Sequence, residues 1–160
     1  MVLDWLNKPH VAEWFHGEGL KNTISGISDF LDGKETIGTY WLSIDENNIP
    51  FGFMITSIVE DEEAKEPDNH LRSWVEPGKN MITLDVLIGE EKFLGRGYAS
   101  IMIEQFLKDK FKEVDIVFID PESTNAKAIH VYEKVGFKQI DMFIASWHKV
   151  PHTLMQLRIL

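Results

Sequence analysis

The chain has 160 residues, 44% of them apolar and 11% aromatic, with 16 basic against 26 acidic side chains and a net charge of −10. That length and apolar content suit one globular domain over residues 1–160. The acidic balance argues against a nucleic-acid partner, which would need clustered Lys and Arg, and suits a cationic ligand. Cysteine is absent, which removes disulfides, thiolate metal sites and a cysteine nucleophile together. No signal peptide and no bilayer-length apolar run is visible, so the expectation is a cytoplasmic protein without a membrane partner, monomeric or homodimeric.

The opening VLDWLNKPHVAEWF reads as helical, with Leu3, Leu6, Val11, Trp14 and Phe15 apolar and Pro9 breaking or restarting the helix. A second helix is expected from about Thr23 to Leu31, closed by Gly33. The period then changes to that of strands. TIGTYWLSI and IPFGFMITSIVE flank Asp45–Asn48, a hairpin signal. The stretch from Glu60 to Asn80 is polar and rich in turn formers, hence a loop. Its run of Glu60, Asp61, Glu62, Glu63, Glu66 and Asp68 reads either as a solvated loop or as an acidic flap that draws in a polycation.

MITLDVLIG follows as a strand, with Ile82, Leu84, Val86 and Ile88 on one face and Met81, Thr83, Asp85 and Leu87 on the other. Aspartate is depleted in strands, so Asp85 in mid-strand needs a reason. Tyr98 to Phe111 carries a helical stripe of Ala99, Met102, Ile103, Phe106 and Phe111. VDIVFIDP is a short, almost wholly apolar strand suited to a sheet interior. NAKAIHVYEKVGF is a helix ended by Gly136, and strands at Lys138–Ala145 and Thr153–Ile159 finish the chain. Antiparallel strands first and a β-α-β-α-β unit second make an α+β fold around a mixed sheet.

Between the third strand and its helix lies FLGRGYAS, a glycine turn that raises the question of a bound anion. A Walker loop is a poor match, because Tyr98 stands where Lys would follow the second glycine. Gly95, Gly97 and Ser100 partly satisfy a dinucleotide fingerprint, with Asp120 posing as its ribose acid, yet the lead-in is an antiparallel meander. The pyrophosphate of coenzyme A at the helix start remains, met by backbone N–H groups from Leu94 to Ala99 and by Arg96. From this stretch alone, a bare helix start is an equal alternative.

LDVLIGEEKFLGRGYAS followed by IDPESTNAKAIHVYEKVGF resembles the cofactor-binding motifs of the GNAT superfamily of N-acetyltransferases. With WLNKPHVAEWF in front, the ordered set is similar to aminoglycoside 6′-N-acetyltransferases over nearly the whole chain. The resemblance implies a GNAT fold: a central, mostly antiparallel mixed sheet flanked by about four helices. Such proteins have a strand before the first helix, whereas this chain begins almost inside that helix, so the expected sheet lacks its first strand or the start is truncated.

The same resemblance implies acetyl-CoA as co-substrate, a cationic small-molecule amine as acceptor, and direct transfer in a ternary complex. Asn125 and Tyr132, seven apart, share one helix face about 10 Å apart along the axis. The resemblance makes Asn125 a contact to the pantetheine arm and Tyr132 the acid that protonates the leaving thiolate. Plainer roles are a helix N-cap and a core aromatic. It also puts Asp85 beside the acceptor amine, as its base or as a charge contact, with strand N–H groups near Leu87 or Ile88 facing the thioester oxygen. Asp120, Trp74 and Trp14 would be substrate contacts. His148 and His152 in HKVPH have metal-like spacing, but Pro151 interrupts any helix there and no metal is expected. A polyamine or siderophore-type amine acceptor, and a CoA-binding module without catalysis, are the alternatives.

Overall fold

In the computed structural model of the chain, residues 1–64, 66–146 and 148–159 are described, with 63 and 64 as backbone alone. Two single-turn helices, α1 (Val2–Leu6) and α2 (Pro9–Ala12), precede α3 (Gly17–Leu31). The antiparallel pair β1 (Gly38–Ile44) and β2 (Pro50–Ile58) leads through a short α4 (Asp61–Ala64) to β3 (Met81–Ile88). Next come α5 (Tyr98–Lys110), β4 (Ile116–Ile119), α6 (Ala126–Val135), β5 (Lys138–Ile144) and β6 (Pro151–Arg158). No strand precedes α1 among the described residues, and none of their helices is long and apolar enough to cross a membrane.

One six-stranded sheet runs in the order β1-β2-β3-β4-β6-β5. Only β3 and β4 are parallel; the other four pairings are antiparallel, the mixed, mostly antiparallel sheet that the resemblance implied. The β1–β2 turn forms because Asp45 Oδ1 accepts from the Asn47 and Ile49 amides at 2.9 and 2.8 Å, and Asn48 takes the left-handed φ of +59° that asparagine tolerates.

Strand alternation sorts the core onto two faces. Ile82 and Leu84 of β3 pack with Met102, Ile103, Phe106 and Tyr132 of α5 and α6. On the opposite face, Leu87 packs with Trp5, Leu6, Val11 and Phe53, while Met81 packs with Ile116, Phe118 and Leu154. The N-terminal helices are locked to the end of β3. Trp5 lies against Gly89 so closely that a Cβ there would sit 1.9 Å from its ring. Its indole N–H donates to Glu90 Oε1 at 2.7 Å, and Lys8 Nζ reaches Glu90 Oε2 at 3.2 Å.

Two boundaries differ from the sequence reading. α3 starts at Gly17, six residues before the expected Thr23, because Gly17 and Gly19 hide its first turn from propensity and Leu20 is drawn onto the Trp5 cluster. The 60–80 segment is not only loop: α4 opens it, and Leu71 is buried with Met81 and Phe118.

Candidate active site

The site begins where β3 and β4 part. Their pairing runs Met81↔Ile116, Ile82↔Val117, Thr83↔Phe118 and stops there. Two residues farther along each strand, on the same face, stand Asp85 and Asp120. Both line a cleft of about 870 Å³ that α2, α3, the start of α5 and α6 also wall.

The backbone of β3 divides its duties by parity. Gly89 N–H donates to the Phe51 carbonyl and Val59 N–H to that of Met81, which fixes the odd residues of β3 as the ones bonded to β2. Leu87 therefore spends its N–H on the β2 ladder, and its side chain is core. The even residues turn the other way: the Asn80 carbonyl accepts from Asp115 on the β4 side, and the Ile88 carbonyl is taken by His10 Nε2 at 3.0 Å. Past the parting, the N–H groups of Val86 and Ile88 thus point into the gap. Of the expected pair, Ile88 fits the oxyanion role and Leu87 does not.

The glycine turn presents a cradle. Gly95 and Gly97 take φ of +68° and +79°, and a Cβ on either would meet no atom within 4 Å. Such left-handed conformations strain other residues, so glycine here keeps the backbone both turned and open. Leu94 N–H is consumed by the Glu91 carbonyl at 3.0 Å, which removes it from the expected donor set. Gly95, Gly97, Tyr98 and Ala99 line the cleft, whereas the exposed Arg96 does not. α5, thirteen residues long, directs its positive end at the cleft. This cradle and the gap beside it fit an extended thioester cofactor with an anionic head, the form expected of acetyl-CoA.

α6 supplies the other wall. Asn125 is its N-cap, with Oδ1 accepting from the Ala128 amide at 3.1 Å, so the capping role is real; its side chain also lines the cleft. Tyr132, only 7% exposed, packs in the α5–α6 core and reaches the cleft. Its hydroxyl makes no hydrogen bond among the described residues. Burial first, then the Asp85 and Asp120 charges, pushes its pKa up, so the phenol keeps its proton.

Water reaches Asp85 through the cleft, yet protein encloses it elsewhere, and that enclosure pushes its carboxyl up to about 6. Burial and the Asp85 charge push Asp120 up to about 8. Two carboxylates across one gap repel, so ionising one disfavours ionising the other. His70 Nε2 lies 4.0 Å from Asp120 and stacks on Phe143, with ring centroids 4.1 Å apart. Burial lowers the pKa of His70.

Trp14 lines the cleft, where a substrate contact was expected of it. Trp74 does not: it packs beside Leu71 and Phe118 and donates its indole N–H to Asp141 at 3.0 Å. None of the described side chains of the acidic run lines the cleft either; that of Glu63 lies outside the described residues. In their place the structure brings in three residues that the sequence reading did not single out together, His16, Glu122 and His148, all on the cleft wall. His16 Nε2 lies 2.6 Å and His148 Nε2 3.1 Å from Glu122 Oε1. Nothing in the sequence pairs positions 16, 122 and 148; the metal-like spacing visible there joined His148 to His152 instead.

The family model for an acetyltransferase (GNAT) domain matches residues 1–145. The crystal structure of an aminoglycoside N(6')acetyltransferase from Legionella pneumophila is 42% identical, with a TM-score of 0.84 over 99% of this chain and 84% of that one. AAC(6')-Ib, solved in complex with coenzyme A and kanamycin, shares the fold at 20% identity, with a TM-score of 0.74 over 99% and 88% of the two chains. The aminoglycoside N(6')-acetyltransferase type 1 of Klebsiella pneumoniae is 26% identical over 145 residues, 87% of this chain and 68% of that protein.

Proposed function

Since the chain belongs to the acetyltransferase (GNAT) family, we propose that this acyltransferase carries acetyl from acetyl-CoA to the 6′-amine of an aminoglycoside. The transfer is direct, between two substrates held in one cleft, and its biological outcome is resistance to the antibiotic. The observation that carries the reading is the Asp85–Asp120 pair beside Tyr132 in a cleft lined from both faces of the sheet. Carboxylates attract a polycation, but they also favour its protonated, non-nucleophilic form. A base at the reacting nitrogen resolves that conflict.

Asp85 is that base. Its raised pKa makes it a better proton acceptor than a solvated aspartate, and it takes the ammonium proton directly or through one water. Acetyl-CoA supplies an activated acyl group as a thioester. The chain's own residues then have separate duties. The Gly95–Ala99 amides and the start of α5 hold the anionic end, and Asn125 lies along the arm. Val86 and Ile88 offer N–H donors to a carbonyl oxygen in the gap. Tyr132 Oη holds a proton for the departing sulfur. No acyl-enzyme is formed, consistent with the lack of cysteine.

Thiol release from acetyl-CoA tests the reading on a panel of acceptors. Turnover with 6′-amino aminoglycosides and none with 6′-hydroxy analogues is the expected result. Faster turnover with spermidine or a siderophore-type amine would reassign the acceptor. Acetyl-CoA binding without turnover on any amine would make the protein a binding module.

A further inference from the structure

Three side chains from distant parts of the chain converge in the far half of the cleft. His16 caps the start of α3, Glu122 follows β4, and His148 lies between β5 and β6. Each offers one ligand atom, and the three atoms lie within 4.8 Å of one another. The two imidazoles do not stack. Their centroids are 4.8 Å apart and their planes inclined at 56°, so both Nε2 atoms aim at the same carboxylate oxygen. We propose that His16, Glu122 and His148 form a binding site for Zn²⁺, with its remaining coordination positions open to the cleft.

The donor chemistry selects the ion. Two imidazole nitrogens and one carboxylate are a recurring three-ligand set for zinc with water in the fourth position. A hard ion such as Ca²⁺ or Mg²⁺ would call for more oxygen donors. The chain has no cysteine, so no thiolate competes for the ion elsewhere. Ligand atoms at ~2.0–2.1 Å from a tetrahedral zinc stand about 3.3 Å from one another. The observed 2.6 and 3.1 Å to Glu122 therefore need to open by less than about 1 Å. The separation between the two histidine ligand atoms, at most 4.8 Å, needs to close by no more than about 1.5 Å, and both shifts are within reach of side-chain rotation.

The scaffold behind the ligands is already built. Glu122 is held by an antiparallel bridge to His152, with Ser123 N–H donating to the Pro151 carbonyl at 2.8 Å and Thr153 N–H to that of Pro121 at 2.9 Å. Its side chain is 13% exposed and that of His148 12%, so ordering them costs little on binding. Gly17 turns the chain into α3 with a left-handed φ of +61° that favours glycine, directly beside the His148 ring. Bound zinc would tie the start of α3 to the β4–α6 and β5–β6 connections. It would also place a positive charge in the half of the cleft that Trp14 lines.

Direct binding tests the site without reference to any enzymatic activity. The full untagged chain, stripped with a chelator that is then removed, is titrated with ZnCl₂ by calorimetry and with Co²⁺ by visible absorption. One ion per chain is expected, with a Co²⁺ spectrum of low coordination number. His16→Ala, His148→Ala and Glu122→Gln should each weaken binding by at least ~10-fold, while Glu133→Gln, exposed on α6 and outside the cleft, leaves it unchanged. Circular dichroism verifies that each variant is folded. A folded parent chain that takes up no Zn²⁺ at micromolar concentrations overturns the proposal. So does equal affinity in the folded His16→Ala and His148→Ala variants.

Discussion

Asp85 and Asp120 face one another two residues beyond Thr83 and Phe118, the last positions at which β3 and β4 are paired. Had the ladder continued, the pair would be neighbours in an unbroken sheet. Because the strands separate, the two carboxyls become opposite walls of a cleft, and each raises the cost of ionising the other.

That relationship sets the pH dependence of turnover. With Asp85 pushed up to about 6, kcat should rise with pH through that value as the base becomes ionised. Asp85→Asn should lower kcat by about 10²–10⁴-fold and remove this acidic limb. An unchanged limb in the variant would leave Asp85 a charge contact only.

The same group should cost stability. A carboxyl whose folded-state pKa lies above its ordinary 3.8 favours folding fully when protonated, and that contribution is lost as pH rises through about 6. Asp85→Asn should therefore raise Tm at about pH 8 and do much less at about pH 4. A variant that melts lower than the parent at the higher pH contradicts the burial argument.

Tyr132→Phe removes a hydroxyl that has no hydrogen-bond partner among the described residues while keeping the ring in the α5–α6 core. Its melting curve should overlay the parent's. If the phenol supplies a proton, kcat drops by about 10²-fold or more with KM for acetyl-CoA nearly unchanged. A rise in KM at constant kcat would instead make the hydroxyl a binding contact.

Gly97→Ala forces a side chain into a φ of +79° in open space, so backbone strain of about 1–2 kcal/mol is the main effect. Relief of that strain would close the cradle. Calorimetry should show acetyl-CoA binding weakened, whereas Arg96→Ala, outside the cleft, should change it little.

Gly89→Ala tests the anchoring of the N-terminal helices. A methyl group 1.9 Å from the Trp5 ring cannot be accommodated without moving α1. Denaturant melts should report a loss of about 1–3 kcal/mol. Stability equal to the parent's would mean that α1 can shift freely.

The strand alternation of MITLDVLI was legible because side chains on a strand change face at every residue, and its even and odd positions indeed feed different clusters. α6 was legible from Asn125 to Gly136 because both ends carry residues with strong capping chemistry. α3 was legible only in part, since glycine at its start speaks against a helix that tertiary packing nevertheless forms. Trp74 illustrates the opposite failure. A tryptophan in a polar loop has the composition of a substrate wall, but the burial of Leu71 carries it to the Phe118 cluster instead.

By itself the sequence determined the six strands, the helices α5 and α6, the glycine turn ahead of α5, and the odd aspartate in the third strand, because each depends on neighbours within a few residues. The tertiary structure alone decided where β3 and β4 part, and hence that Asp85 meets Asp120, that Ile88 and not Leu87 turns its N–H to the gap, and that His16, Glu122 and His148 converge. Those facts depend on register and on contacts between segments from about 26 to more than a hundred residues apart, which no local period encodes.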